Sequence, residues 1–472
     1  MPNTNSDSVI SLDRHTLQRA YAAGRLSPTE LIDDIYRRIA TQGDDKVWLH
    51  LVPHAEARRR AEVVEQHYAH RPKPALYGLP YGLKDNIHVA GLPTSAGCTA
   101  LRTVASETAT VVKKLDAAGA ILIGKQNLDQ FATGLVGIRN PSGYCRNAFN
   151  PDYIPGGSSS GSAVAVAKGL VSFSIGSDTG GSGRVPAALN NIVGFKATPG
   201  LISNHGFLCN NRTFDVPPVF ALTVPDATAV LEVIAGHDRR DPFMSLCRPL
   251  PLPTALREGS FRFAVPQDKQ LEFFGDAVAG KHYAQSLATL RTLGGTPVEI
   301  DFTPFLEASD TIFNSPFIAE RAITYRSITE DHPEAVHPAV LAAIQAAGQF
   351  SAEDAFRSLY RLTELRHNVH ATLADIDVLA LPTAGTIYRC AAVEADPIRL
   401  NANMGYYTYF ANPLHLSAVS VPAGIRADGL PFGLSLVAGP WRENVLEHLG
   451  QRFHRAIDGR LGATPTRLAD SR

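Results

Sequence analysis

Two glycine turns that carry serines hold the chemistry of this sequence: Pro155-Gly-Gly-Ser-Ser-Ser-Gly161 and, after a short interval, Asp178-Thr-Gly-Gly-Ser-Gly-Arg184. A serine hydroxyl becomes a useful nucleophile only when a neighbouring group takes its proton. Glycine admits positive φ and leaves backbone N–H groups unshielded, which suits a turn that must face an anionic transition state. An isolated GGSSSG run is more often a flexible loop than a site. Here the two turns flank one small-residue helix at 163–167 and one strand at 171–175, with Asp178 and Arg184 set around Gly180-Gly181-Ser182. That arrangement lets two tight turns bring two serines to one place.

Two rival motifs fail on context. Gly157-Ser-Ser-Ser-Gly161 fits the G-x-S-x-G elbow and would make Ser159 the nucleophile, but the elbow needs an apolar strand before it, and Asn150-Pro-Asp-Tyr-Ile-Pro155 is not one. Gly119-Ala-Ile-Leu-Ile-Gly-Lys125 starts like a phosphate-binding loop, but Gln126 follows where serine or threonine belongs, and its centre reads as a buried strand.

The elements that must position these turns alternate between helix and strand. Ser27-Pro28-Thr29-Glu30 is a capping box with proline at the first helical position, and Leu31, Ile32, Ile35, Tyr36 and Ile39 continue it as one apolar stripe. A second helix is predicted at 55–70. The run Leu76-Tyr-Gly-Leu-Pro-Tyr-Gly-Leu-Lys84 then sets Lys84 at a strand end, followed by Asp85-Asn86. Helix 110–118, stopped by Gly119, leads to strand 120–123. Helices are predicted at 226–235, 275–293, 352–373 and 442–457, and strands at 297–300, 377–381 and 432–437. The fold class is therefore α/β. The segment 238–259, rich in proline and arginine, is the one candidate linker, yet the alternation continues beyond it, so residues 1–472 read as a single domain with a more variable helical segment at about 238–375.

Bulk properties narrow the partners. Among 472 residues, 44 basic and 45 acidic side chains leave a net charge of -1, with no basic stripe to draw a nucleic acid. No run of about 20 apolar residues offers a membrane span. The amino terminus lacks a basic start followed by an apolar run, which predicts a cytoplasmic protein. Cys98, Cys145, Cys209, Cys247 and Cys390 are odd in number and contain no C-x-x-C pair, which argues against structural zinc and for a reducing compartment. A small molecule is the expected partner.

GLPYGLKDN, GGSSSGSA and DTGGSGRVPAA together resemble the amidase-signature family over nearly the whole chain. The resemblance implies a central mixed β-sheet covered by helices on both faces and an amidohydrolase needing neither metal nor cofactor. Matched residue by residue, Lys84 takes the base position, Ser158 the bridging serine on a cis peptide, and Ser182 the nucleophile. Thr179, Gly180, Gly181 and Ser182 match the oxyanion-hole donors. Lysine serves as a base only when neutral, and burial can lower an ammonium pKa by roughly 3 to 5 units. No histidine is required, and His88 is read as a packed or surface residue.

Within the family, segments 127–137, 184–194 and 394–433 look most like allophanate hydrolases, which release ammonia from carboxylated urea. A tyrosine and an arginine eight residues later hold the substrate carboxylate in that subfamily, and the matching positions here are Phe313 and Arg321. Gly134 joins them as a candidate substrate contact. Phenylalanine lacks the anchoring hydroxyl, and no additional C-terminal domain follows the last predicted helix. Biuret, carboxybiuret and guanylurea are accordingly the alternative substrates, a structural ion pair is the alternative role for Arg321, and the glutaminase part of an amidotransferase is the alternative function. A homodimer is compatible with the resemblance.

Overall fold

The capping box at Ser27 forms as its residues dictate. In the computed structural model, which describes residues 10–244 and 259–471, the Ser27 hydroxyl accepts from the Glu30 amide and the Glu30 carboxylate accepts from the Ser27 amide, opening the helix Pro28–Gln42. Its stripe of Leu31, Ile32, Ile35 and Ile39 is buried. Thr110–Ala117 ends two residues before Gly119, whose φ of 79° favours glycine.

Eleven strands form one mixed sheet. In chain order they are β1 (Trp48–Leu51), β2 (Pro80–Lys84), β3 (Ile121–Gln126), β4 (Phe173–Ile175), β5 (Val193–Lys196), β6 (Val219–Ala221), β7 (Phe261–Pro266), β8 (Gly295–Ile300), β9 (Val378–Pro382), β10 (Ser417–Ile425) and β11 (Pro431–Ala438). Across the sheet the order is β1-β3-β2-β4-β6-β5-β10-β11-β9-β7-β8. β2 runs parallel to both β3 and β4, and the parallel trio β9, β7 and β8 closes the far edge. All eight residues of β11 and all five of β2 are buried. Neighbouring strand residues point to opposite faces, so such runs require cover on both.

Five of these strands, β1, β5, β6, β7 and β10, have no counterpart among the sequence expectations. The segment expected to be helical at 238–375 also contributes β7 and β8, so it extends the sheet as well as covering it. Residues 245–258, which include Cys247 and most of the candidate linker, lie outside the described residues. The other four cysteines are buried free thiols.

A small separate core carries one side of the site. Ala322, Tyr325 and Ile328 from the helix Ala319–Asp331, with Val340 and Ile344 from Pro338–Gln345, pack on Ala96, Cys98 and Phe131. The Phe131 and Tyr325 rings stack at 4.2 Å. This contact brings Arg321, on the same helix, to the loops that follow β2 and β3.

Candidate active site

Lys84 is the last residue of β2, and its side chain is 0% exposed. The ammonium nitrogen donates to Ser158 Oγ at 2.7 Å, to Ser177 Oγ at 2.8 Å and to the Ser177 carbonyl at 3.4 Å. Among the described residues no carboxylate forms a hydrogen bond or ion pair with it. Burial lowers its pKa from 10.5 to about 7, while the negative charges of Asp215, Asp129 and Asp178, all at longer range, pull the other way. A lysine at such a site is in part neutral near pH 7 and can then accept a proton.

Ser158 follows a cis peptide bond from Gly157. Its loop is held from several directions. The Ser158 carbonyl accepts from the Asp129 amide at 3.0 Å, and the Gly157 amide donates to the Leu135 carbonyl at 2.8 Å. A Cβ on Gly156 would lie 2.8 Å from Pro186 Cα, which places this turn against the start of the helix Val185–Leu189 that follows Ser182.

The second turn is built around a buried ion pair. Asp178 receives Arg184 Nε and Nη2 at 3.1 Å each, together with the amides of Gly181 at 2.7 Å and Gly183 at 2.9 Å. Burial alone would raise the Asp178 pKa, and Arg184 brings it below the usual carboxylate range. Arg184 reaches on to the Thr408 carbonyl and Asn412 Oδ1. Gly181, at φ 135°, admits no side chain, since a Cβ would meet Thr408 Oγ1 at 2.3 Å.

Ser182 is 3% exposed and its hydroxyl makes no hydrogen bond among the described residues, including to Ser158. The structure therefore joins Lys84 to Ser158 and leaves the Ser182 hydroxyl unengaged. Of the four residues matched to oxyanion donors, Gly181 already spends its amide on Asp178. The amides of Thr179, Gly180 and Ser182 have no acceptor among the described residues.

Arg321 is fully enclosed at 1% exposure. Nε donates to Asn210 Oδ1 at 2.9 Å and Nη2 to the Ile312 carbonyl at 3.1 Å, while Nη1 has no partner. The Phe313 ring covers the guanidinium at 4.7 Å. Burial lowers the Arg321 pKa to about 10, opposed first by Asp215, so the group stays cationic at neutral pH. Phe313 also meets Tyr409 edge-on at 4.9 Å, and a Cβ on Gly180 would lie 2.8 Å from the Tyr409 ring. Tyr409 and Phe313 thus stand between the Ser182 turn and a cavity of 890 Å³ lined by Arg139, Asn401, Leu306 and Ile318 among others. Gly134, at φ 154°, sits where a Cβ would come within 2.7 Å of Asp129 Oδ2 and 3.1 Å of Arg139 Cδ.

The rival readings find other uses. Ser159 Oγ donates to the Ser177 carbonyl at 3.1 Å, and 121–126 is strand β3, with no phosphate cradle. His88 is half-buried against Thr94. Ser177, Asn210 and Asp215 were not singled out in the sequence, although each touches a residue that was. A serine one residue before Asp178 was the only available signal. Among the described residues no group of three or more His, Cys, Asp or Glu side chains can hold a metal ion, and no helix is long and apolar enough to cross a membrane.

Comparison with known proteins places this geometry. The sequence model of the Amidase family matches residues 30–446. A urea amidolyase of Lachancea kluyveri is 38% identical over 87% of this chain, which spans only 22% of that protein. The A-type component of the Exiguobacterium sibiricum glutamyl-tRNA(Gln) amidotransferase is 32% identical over 94% of this chain and 96% of its own length. The crystallised Kluyveromyces lactis allophanate hydrolase superposes with a TM-score of 0.89 at 34% identity, covering 96% of this chain and 74% of that one. The chain belongs to the amidase family, whose enzymes act on amide bonds.

Proposed function

We propose that this chain hydrolyses a small ureido amide, with allophanate as the preferred substrate and release of ammonia, using Ser182 as nucleophile, Ser158 as relay and Lys84 as base. The observation that carries the reading is the buried Lys84 amine, poised at a pKa of about 7 and bonded to the Ser158 hydroxyl at 2.7 Å. Neutral Lys84 takes the Ser158 proton as Ser158 takes that of Ser182, and the Ser182 oxygen attacks the amide carbon. The oxyanion falls to the Thr179, Gly180 and Ser182 amides, each such donor being worth roughly 10² to 10³ in rate. Collapse expels ammonia with the proton returned through Ser158. Water then attacks the acyl group along the same relay and frees the acid. The hydrogen bond from Ser182 to Ser158 forms as substrate seats, the usual behaviour of catalytic hydrogen bonds that tighten in the substrate complex.

Arg321 supports a substrate with an acceptor at its far end. A buried N–H left without a partner costs about 1 to 3 kcal/mol, and a carboxylate or carbonyl on the substrate would offset that at Nη1. Phe313 offers a ring face where a hydroxyl would have been a second anchor, so biuret, carboxybiuret and guanylurea stay in the substrate set. The full-length match to the amidotransferase component adds glutamine.

The test is ammonia release from allophanate, biuret, guanylurea, malonamide and glutamine by the purified chain and by Ser182→Ala. Turnover is expected to be highest on allophanate and to fall to background in the variant, with an unchanged circular dichroism spectrum. Ammonia release by Ser182→Ala would overturn the mechanism, and turnover of glutamine alone would overturn the substrate.

A further inference from the structure

Asp215 is linked to both ends of the site, directly at Thr179 and through Asn210 at Arg321, without belonging to the proton relay. It is 4% exposed. One carboxylate oxygen accepts the Thr179 hydroxyl, at the start of the Ser182 turn. The other accepts the amides of Asn210 at 2.7 Å and Asn211 at 3.3 Å. Asn210 then takes Arg321 Nε on its own side-chain oxygen at 2.9 Å, while its NH2 group is fixed by the Phe131 carbonyl and Thr133 Oγ1. Asn211 holds the Phe317 carbonyl at 2.9 Å, beside the same helix. A continuous hydrogen-bonded line thus runs Thr179, Asp215, Asn210, Arg321.

We propose that Asp215 is a positioning residue that sets the span between the Ser182 turn and the Arg321 guanidinium, and with it the length of substrate the site accepts. This rests on the hydrolase reading above. The line crosses between the sheet-borne turns and the helical segment that carries Arg321, two bodies of chain with separate cores. Without a rigid link the distance between a reacting amide carbon and its anchored far end would follow side-chain motion, and a misplacement of about 1 Å can cost on the order of 10²-fold in rate. Burial raises the Asp215 pKa to about 6, and its three donors oppose the rise, which is consistent with a carboxylate held for its acceptors.

Chemistry supplies a discriminating pair of variants. In Asp215→Asn the amide oxygen can accept the two backbone N–H groups while the NH2 group donates to Thr179 Oγ, since a hydroxyl also accepts. The line survives and only the charge is lost. Asp215→Ala removes the line, and Asn210→Ala cuts it one link further on. The readout is kcat/KM for malonamate against propionamide, the same skeleton with and without a terminal carboxylate.

Asp215→Ala and Asn210→Ala are each expected to lower the malonamate-to-propionamide ratio at least tenfold, mainly through KM for malonamate. Asp215→Asn should hold the ratio within about threefold of wild type. The Asp215→Ala/Asn210→Ala double variant should be no worse than the poorer single one, because both cut one line. Equal losses on both substrates, an additive double variant, or a collapsed ratio in Asp215→Asn would overturn the proposal. Should Asp215→Ala fail to fold, Asn210→Ala decides alone. Labelling of wild-type Ser182 by a sulfonyl fluoride separates the two claims: no adduct condemns the hydrolase reading, whereas an adduct with an unmoved ratio condemns only the span.

Discussion

Lys84 and Lys125 stand side by side on parallel strands and have opposite fates. In the register of β2 with β3, Leu83 is opposite Lys125 and Lys84 is opposite Gln126, so the two lysine side chains leave the sheet on different faces. Both are 0% exposed. Lys125 donates to Asp85 Oδ1 at 2.9 Å and to Thr94 Oγ1 at 3.1 Å, forming a buried ion pair. Lys84 has only hydroxyls and a carbonyl. Asp85 is next to Lys84 in the chain, but past the strand end it turns to the other lysine, and Ser95 fixes its second oxygen. Burial presses both ammonium groups down, and a contacting carboxylate opposes it only at Lys125. The lesson is that burial prepares a base, and withholding the counter-ion is what leaves it one. Lys196 extends the point: burial lowers it to about 7 as well, but its hydrogen bond goes to the Leu416 carbonyl.

Exchanging the two lysines' roles should separate activity from stability. Lys84→Met is expected to lower ammonia release by about 10⁴-fold, the upper range for loss of a general base, while its Tm holds or rises, since an apolar side chain replaces a buried amine. A loss under tenfold would remove Lys84 from the reaction. The pH dependence carries a sign. Between about 7 and 10.5 the unfolded chain keeps a proton on Lys84 that the folded chain has shed, so wild-type stability relative to Lys84→Met should climb with pH across that window. Denaturant titrations at pH 7 and pH 10 check it.

Lys125→Met should do the reverse. Leaving Asp85 buried without its partner is expected to cost roughly 3 to 5 kcal/mol of stability, with kcat per folded molecule near wild type. Unchanged denaturation would show that Asp85 finds another partner. The smallest effect is expected at Ser177→Ala, which removes one of the hydroxyls on Lys84. A lost hydrogen bond to a charged group is worth about 1.5 to 3 kcal/mol, and here it stabilises the protonated form, so the acid limb of kcat/KM should move to lower pH.

The parts of this comparison differ in how far the sequence revealed them. Lys84 at a strand end and the two glycine turns were legible because strand period and turn chemistry are local. The helix Pro28–Gln42 was legible through its cap and apolar stripe. β5 and β6 were not, for they are four and three residues long and lie inside stretches without alternation. The Asn210-to-Asp215 loop, with its polar Asn-Asn-Arg-Thr core, reads as an ordinary surface connection, yet Asn210, Asn211, Phe214 and Asp215 are buried and hydrogen bonds tie the loop to residues far away in the chain. Likewise nothing local says that Asp85 will choose Lys125 over its neighbour. Which partner a buried charge takes is decided by which face of the sheet each side chain leaves.

The central claim is that neutral Lys84 activates Ser182 through Ser158. The rate of Ser182 modification by a sulfonyl fluoride, followed by mass spectrometry from pH 5 to pH 9, tests it without knowledge of the substrate. The account predicts an adduct on Ser182 whose rate rises through a single ionisation near pH 7 and is lost in Lys84→Met. A rate indifferent to pH, or one that survives in Lys84→Met, would contradict it.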